Sequence, residues 1–163
     1  RNAWNPVQQV KFADGTVWDL DTLTAMAMTG GDGNDLLGGT VGADTFDGGA
    51  GDDMVWSAGG DDLYLFGWGD GQDHVVAQFD ASPAKQGTLR FKAGVAPADV
   101  VLERVDDANW GPGSGLRVTL GEGGDTITFE AFLYGGTPAN AYNGLQRMAF
   151  DDGTVWDEGD ILV

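Results

Sequence analysis

The sequence predicts an all-β protein: a right-handed spiral of short strands in about five nonapeptide turns, closed by a mainly antiparallel β region. Three observations carry that prediction. An Asp recurs every nine residues with a large apolar residue two places later, the composition is dominated by Gly and Asp, and β-branched and aromatic stretches follow the repeat. The chain has 163 residues, 42% of them hydrophobic, with six Trp and eight Phe. That is enough for one domain with a core, or two small units sharing one, and excludes a disordered acidic tail. The formal net charge is −18, and 22 of the 26 acidic residues are Asp. Asp with 28 Gly is a vocabulary of turns, whereas surface helices favour Glu.

Position sharpens the charge argument. No Lys or Arg lies between Lys11 and Lys85, yet ten Asp fall from Asp32 to Asp73. Neighbouring carboxylates about 4 Å apart repel by roughly 4 kcal/mol per pair at an effective dielectric of 20. A compact segment is therefore expected to need cations from outside. Nucleic acid and anionic membrane are expected to be poor partners, and no stretch approaches the ~20 apolar residues of a membrane span. The absence of Cys fits an exported protein held by metal rather than disulfides. Arg1 in place of Met is expected of a fragment of a longer chain.

The nonapeptides run Gly30–Gly38, Gly39–Asp47, Gly48–Trp56 and Ser57–Leu65, and a fifth, Trp68–Val76, follows the insertion Phe66-Gly67. Their Asp are Asp35, Asp44, Asp53, Asp62 and Asp73, and the apolar residues two places on are Leu37, Phe46, Val55, Tyr64 and Val75. Six residues rich in Gly and Asp turn easily, and the three that follow form a short strand. Turn–strand–turn–strand makes one coil, so turns two units apart stack. Asp35 then lies near Asp53, Asp44 near Asp62, and Asp53 near Asp73. Paired carboxylates with free Gly carbonyls make an all-oxygen cage suited to a hard ion, calcium above all.

These five units resemble the GGxGxDxUx nonapeptide of the RTX, or haemolysin-type calcium-binding, proteins. The resemblance implies a calcium-bound parallel β-roll with about three Ca2+ ions. Carried over by position, one site would use Gly31, Gly33, Asp35, Gly48, Ala50 and Asp53. A second would use Thr40, Gly42, Asp44, Ser57, Gly59 and Asp62, and a third Gly49, Gly51, Asp53, Trp68, Asp70 and Asp73. Thr40, Ser57, Ala58 and Trp68 stand where the pattern has glycine. A flexible linker would not place an apolar residue after every periodic Asp. The spacing of an EF-hand and the Lys of a phosphate loop are both missing.

A second repeat is longer. Phe12-Ala13-Asp14-Gly15-Thr16-Val17-Trp18-Asp19 recurs as Phe150-Asp151-Asp152-Gly153-Thr154-Val155-Trp156-Asp157, identical at seven of eight places and 138 residues apart (150 − 12). Trp4-Asn5 also parallels Tyr142-Asn143, and Gln8 parallels Gln146. Both copies predict a hairpin turning at Asp-Gly, and Asp19 or Asp21 is expected to cap a short helix through Ala25 to Met28. The expected organisation is residues 1–28 as the tail of a preceding unit, 29–80 as the roll, and 81–163 as a β-rich flanking and capping region. In the last, strands are expected at Thr88–Phe91, Val100–Val105, Leu116–Leu120, Thr126–Phe132 and Leu145–Phe150. Gly111–Gly115 and Gly121–Gly124 are expected to be loops, and Ala96–Asp99 a helical turn. The segment Phe66–Asp73 and the second Asp-Gly hairpin also resemble the haemolysin-related flanking domain.

No catalytic residues are expected. His74, the single histidine, has no Cys or second His to complete a metal or acid–base site. Glu103, Glu122 and Glu130 form no paired-carboxylate pattern, and Ser57, Ser82 and Ser114 sit in no nucleophile motif. Trp68, Trp110, Phe132 and Tyr134 could serve a glycan or protein contact, but packing is their expected fate. The function this implies is a calcium-binding structural module of a secreted bacterial surface, adhesin or filament protein. Its expected partners are calcium and either neighbouring copies of the same repeat or a surface glycan or protein. Export by a type I route with calcium-triggered folding follows from the resemblance. The alternatives are the non-catalytic RTX portion of a secreted enzyme or toxin, and a calcium-dependent glycan-binding module.

Overall fold

A computed structural model describes residues 7–76, 78–82, 84–122 and 124–162. The first repeat copy forms a hairpin, β1 (Gln9–Lys11) and β2 (Val17–Asp19), followed by helix α1 (Leu20–Met26). The nonapeptides give β3 (Leu36–Gly38), β4 (Thr45–Asp47), β5 (Met54–Trp56), β6 (Leu63–Phe66) and β7 (Gln72–Val75). Then come β8 (Thr88–Phe91), β9 (Val100–Asp107), β10 (Gly111–Leu120) and β11 (Thr126–Phe129). The second hairpin copy, β12 (Arg147–Ala149) and β13 (Val155–Asp157), leads into helix α2 (Glu158–Ile161).

Alternate strands of the spiral go to opposite sheets. One sheet has the order β3-β5-β7-β11-β10-β9 and the other β13-β12-β8-β6-β4, while β1 and β2 stand as a two-stranded ribbon. The three-residue nonapeptide strands point one central side chain inward, and four-residue strands such as β6 and β11 add a second. Phe46, Tyr64, Leu89 and Met148 share one register line across β4, β6, β8 and β12. Leu37, Val55, Val75 and Phe129 share another across β3, β5, β7 and β11. All eight are buried in one continuous core, each contributing roughly 1.5–3 kcal/mol by leaving water. Tyr64 anchors it, stacking on Phe46 at 5.7 Å and meeting Phe129 edge-on at 5.3 Å.

The expected parallel roll with a separate antiparallel cap is corrected. Both large sheets are mixed. β11 joins β7 in parallel, but β10 and β9 continue that sheet antiparallel, and β13 does the same beyond β12. Connection length explains the change: short turns join β9 to β10 and β10 to β11, and a parallel neighbour needs a long crossover. β8 and β11 therefore extend the sheets rather than capping their ends.

Local expectations also shift. Gly111–Gly115, expected as a loop, opens β10, with a register irregularity between Gly111 and Gly115. β11 stops at Phe129 because the chain turns at Ala131, whose φ is +53°. Asp19 caps α1 by accepting from Thr22 N, but the helix ends at Met26. The helical turn is present at Pro97–Asp99. Arg1 and the Trp4-Asn5 pairing lie outside the described residues, as does Gly123 in the Gly121–Gly124 loop. No helix among the described residues is long and apolar enough to cross a membrane.

Candidate functional site

The chemistry-bearing residues concentrate in the turns between stacked strands. Turns two units apart are tied by carboxylates that accept backbone N–H groups. Asp35 N donates to Asp53 Oδ1 at 2.8 Å, and Asp53 N to Asp73 Oδ1 at 3.1 Å. On the other edge Asp44 N donates to Asp62 Oδ1 at 3.0 Å. The lowest carboxylates close their own turns, Asp35 accepting from Gly31 N and Asp44 from Thr40 N. Asp53, Asp62 and Asp73 are buried, and Asp53 Oδ2 has no hydrogen-bond partner among the described residues.

Several of the other expected ligands take part in the stacking of turns. Gly31 O accepts from Ala50 N at 2.7 Å, and Gly51 N donates to Asp70 O at 2.9 Å. Gly48 packs against the Asp53 carboxylate and Gly49 against Gly31 O, while Gly51 lies against Gly33, each too close for a Cβ. Gly42 N donates to Thr40 Oγ1. Ser57 is buried, and Gly59, at φ +101°, packs near Asp80. Trp68 is half exposed, and its indole donates to Gly94 O.

Burial dominates the electrostatics of these acids. It pushes Asp62 up to about 7, with the Asp44 and Asp61 charges adding to the shift and the Asp44 N–H opposing it. It likewise pushes Asp73 up to about 7, helped by Asp53 and Asp70. Asp53 and Asp70 are raised for the same first reason. An internal cation also enters. Lys92, just beyond β8, reaches Asp47 Oδ1 at 2.7 Å and Asp70 Oδ2 at 2.9 Å. Burial alone would lower its pKa, but the two carboxylates outweigh that and raise it. The segment without Lys or Arg thus draws a cation from later in the same chain.

Calcium is the group the resemblance implies, and the described residues do not fit it. They hold no group of three or more His, Cys, Asp or Glu side chains placed to bind a metal ion. The stacked turns bring carboxylates together in pairs, with an oxygen of each committed to a backbone N–H. In the expected third site, where Asp70 would offer its carbonyl, that oxygen accepts from Gly51 N, and the Asp70 carboxylate is held by Lys92 and Gly67 N. The expectations of Ca2+ ions, of calcium as partner and of a calcium-binding module are corrected accordingly.

A second cluster was not legible in the sequence. His74 Nε2 lies 2.9 Å from Glu130 Oε1, and Trp110 Nε1 donates to Glu130 Oε2 at 3.3 Å. Only the parallel placement of β11 beside β7 brings Glu130 to His74, and no local motif announces that pairing. The other candidates stay apart from it: Glu103 faces Arg117, Glu122 is exposed, and Ser114 Oγ donates to Gly111 O. Of the aromatics, Phe132 is buried, while Trp110, Tyr134 and Tyr142 pack together with ring centroids 4.4–5.6 Å apart.

With this geometry in place, comparison with known proteins finds one partial similarity. Residues 1–22 and 116–160 match a family described as haemolysin-type calcium binding protein related domain. The match covers less than half of the chain and leaves out the nonapeptide segment. The resemblance to the RTX repeat family is therefore corrected: the similarity found lies in the flanks, and the sheets are not uniformly parallel. No curated protein matches the chain.

Proposed function

We propose that this chain is a non-catalytic scaffold unit, a stiff two-sheet body within a protein that acts outside the cell. The observation that carries this is the structural commitment of its polar side chains. Asp53, Asp62 and Asp73 hold the backbone of the neighbouring turn, Lys92 ties Asp47 to Asp70, and Glu130 joins His74 to Trp110. Burying ionisable groups is costly unless each is bonded, so their contribution is to fix one register of the stacked turns. Placement outside the cell is supported by an acidity built on Asp, which keeps an exposed surface soluble.

The test is mechanical. Pulled from its two termini in a single-molecule experiment, the chain should rupture in one event that releases the whole folded length, because one core spans both sheets. Stepwise release, with the strands after β8 leaving before the nonapeptide strands, would contradict a single stiff body. Surface proteolysis of intact cells carrying the parent protein should remove this unit, and complete protection would place it inside.

A further inference from the structure

The two hairpin–helix copies are twins in detail but perform different halves of one task. In the first, Phe12 N donates to Thr16 O and Gly15 N to Phe12 O, at 2.9 and 3.1 Å. In the second, Phe150 N to Thr154 O and Gly153 N to Phe150 O have the same two lengths. Cross-strand registers correspond, with Val10 opposite Trp18 and Met148 opposite Trp156. Phe12 meets Trp18 edge-on at 4.6 Å, and Phe150 meets Trp156 edge-on at 4.9 Å. Asp19 and Asp157 cap the helices that follow. The family similarity ends at equivalent places too, residue 22 in one copy and residue 160 in the other.

What each copy touches differs. The second closes a body: β12 pairs in parallel with β8, Met148 opposite Leu89, and Phe150 stacks on Phe91 at 4.6 Å. The first opens a body. Beyond α1, Ala27 O accepts from Gly38 N and Met28 O from Asp47 N, and Met28 is buried in the core. Among the described residues, however, its hairpin has no β8-type strand beside it: β1 has β2 as its one strand neighbour, and Phe12 is 41% exposed where Phe150 is 5% exposed.

We infer that the hairpin–helix is a shared junction: its hairpin closes one unit while its helix opens the next, and the exposed face of the first copy takes a β8-type strand of another copy of this unit. The register follows from the twin. Gln9, Val10 and Lys11 would lie opposite the positions of Thr88, Leu89 and Arg90, with Phe12 against a Phe91-type ring. An edge strand adding in parallel to a waiting sheet supplies the backbone bonds, and the apolar pair supplies specificity. Units would then share interfaces as stacked repeats do. This rests on the scaffold reading but makes a separate demand, that consecutive units are coupled.

The test joins two copies through one junction, residues 1–160 followed directly by residues 23–163, since 160 and 22 are equivalent. A comparison protein joins two whole chains, 1–163 followed by 1–163. The shared-junction protein should unfold in one cooperative transition and scatter X-rays as a stiff rod. Two independent transitions, or scattering like that of two jointed bodies, would overturn the inference. Within the shared-junction protein, Phe150→Ala in the upstream unit should speed amide exchange in the downstream β3 and β4 by about tenfold or more. Acceleration confined to the upstream unit would overturn it. Failure here, with a single chain that still ruptures in one event, would leave the scaffold standing and remove only the coupling.

Discussion

Turns built from Asp and Gly occur in two settings in this molecule, and burial gives their carboxylates opposite character. In the stacked nonapeptide turns, Asp53, Asp62 and Asp73 are buried beneath the next coil, and desolvation raises their pKa. At the hairpin tips, Asp14 and Asp152 are exposed and accept the N–H of Thr16 and Thr154, which lowers theirs. The glycines divide in the same way. Gly51 lies at φ +137° with Gly33 backbone so close that a Cβ would sit 2.7 Å away, while at Gly153, φ +89°, a Cβ would meet nothing within 4 Å among the described residues. The same two residue types thus build a crowded ladder of buried carboxylates in one place and an open turn in another, and stacking sets the difference in burial.

The largest expected effect is electrostatic. Asp62 and Asp73 have folded pKa values of about 7 against the ordinary 3.8. Between those limits the folded state holds protons that the unfolded chain has released, so stability falls as pH rises through the window. Below it the cost is absent, and above it the cost is complete, at most about 4 kcal/mol for each group. Thermal melts in EDTA-treated buffer should therefore show the chain more stable at pH 5 than at pH 8. Asp62→Asn keeps an oxygen for Asp44 N and removes the charge, so it should raise the melting temperature at pH 8 and flatten the pH dependence. A wild-type profile rising from pH 5 to 8 would show that the ladder acids behave like the hairpin acids.

Glycine replacement probes the same contrast sterically. Gly51→Ala should cost about 3 kcal/mol, from an unfavourable φ plus collision with Gly33, whereas Gly153→Ala should cost about 1 kcal/mol from φ alone. Chemical denaturation of both variants measures the difference, and equal costs would mean the turns are not in contact. Lys92→Met should cost about 2 kcal/mol, discounted for the partial exposure of the lysine. That loss should shrink as pH falls and Asp70 protonates. A pH-independent loss would assign Lys92 to packing alone.

The nine-residue spacing of Asp and apolar side chains made the stacked strands legible, because a period-two strand and a positive-φ turn each leave a local signature. Leu37, Phe46, Val55, Tyr64 and Val75 face the core as that spacing requires. The twin hairpins were legible from near-identity. The mixed sheets were not, since nothing local to Thr126–Phe129 states that it lies beside Gln72–Val75. The same long-range placement hid Glu130 beside His74, and Lys92 between Asp47 and Asp70. The expectation of external cations failed at that point, because it counted charges along the chain and not across the sheets.

The central claim is that buried carboxylates hold successive turns by accepting the Asp N–H of the turn two units below. Amide hydrogen exchange followed by NMR tests it residue by residue. The amides of Asp35, Asp44 and Asp53 should exchange only with global unfolding, and Asp73→Ala should release Asp53 while leaving Asp44 protected. Exchange of all three at the rate of open loop amides, with the strands beside them still protected, would contradict the account.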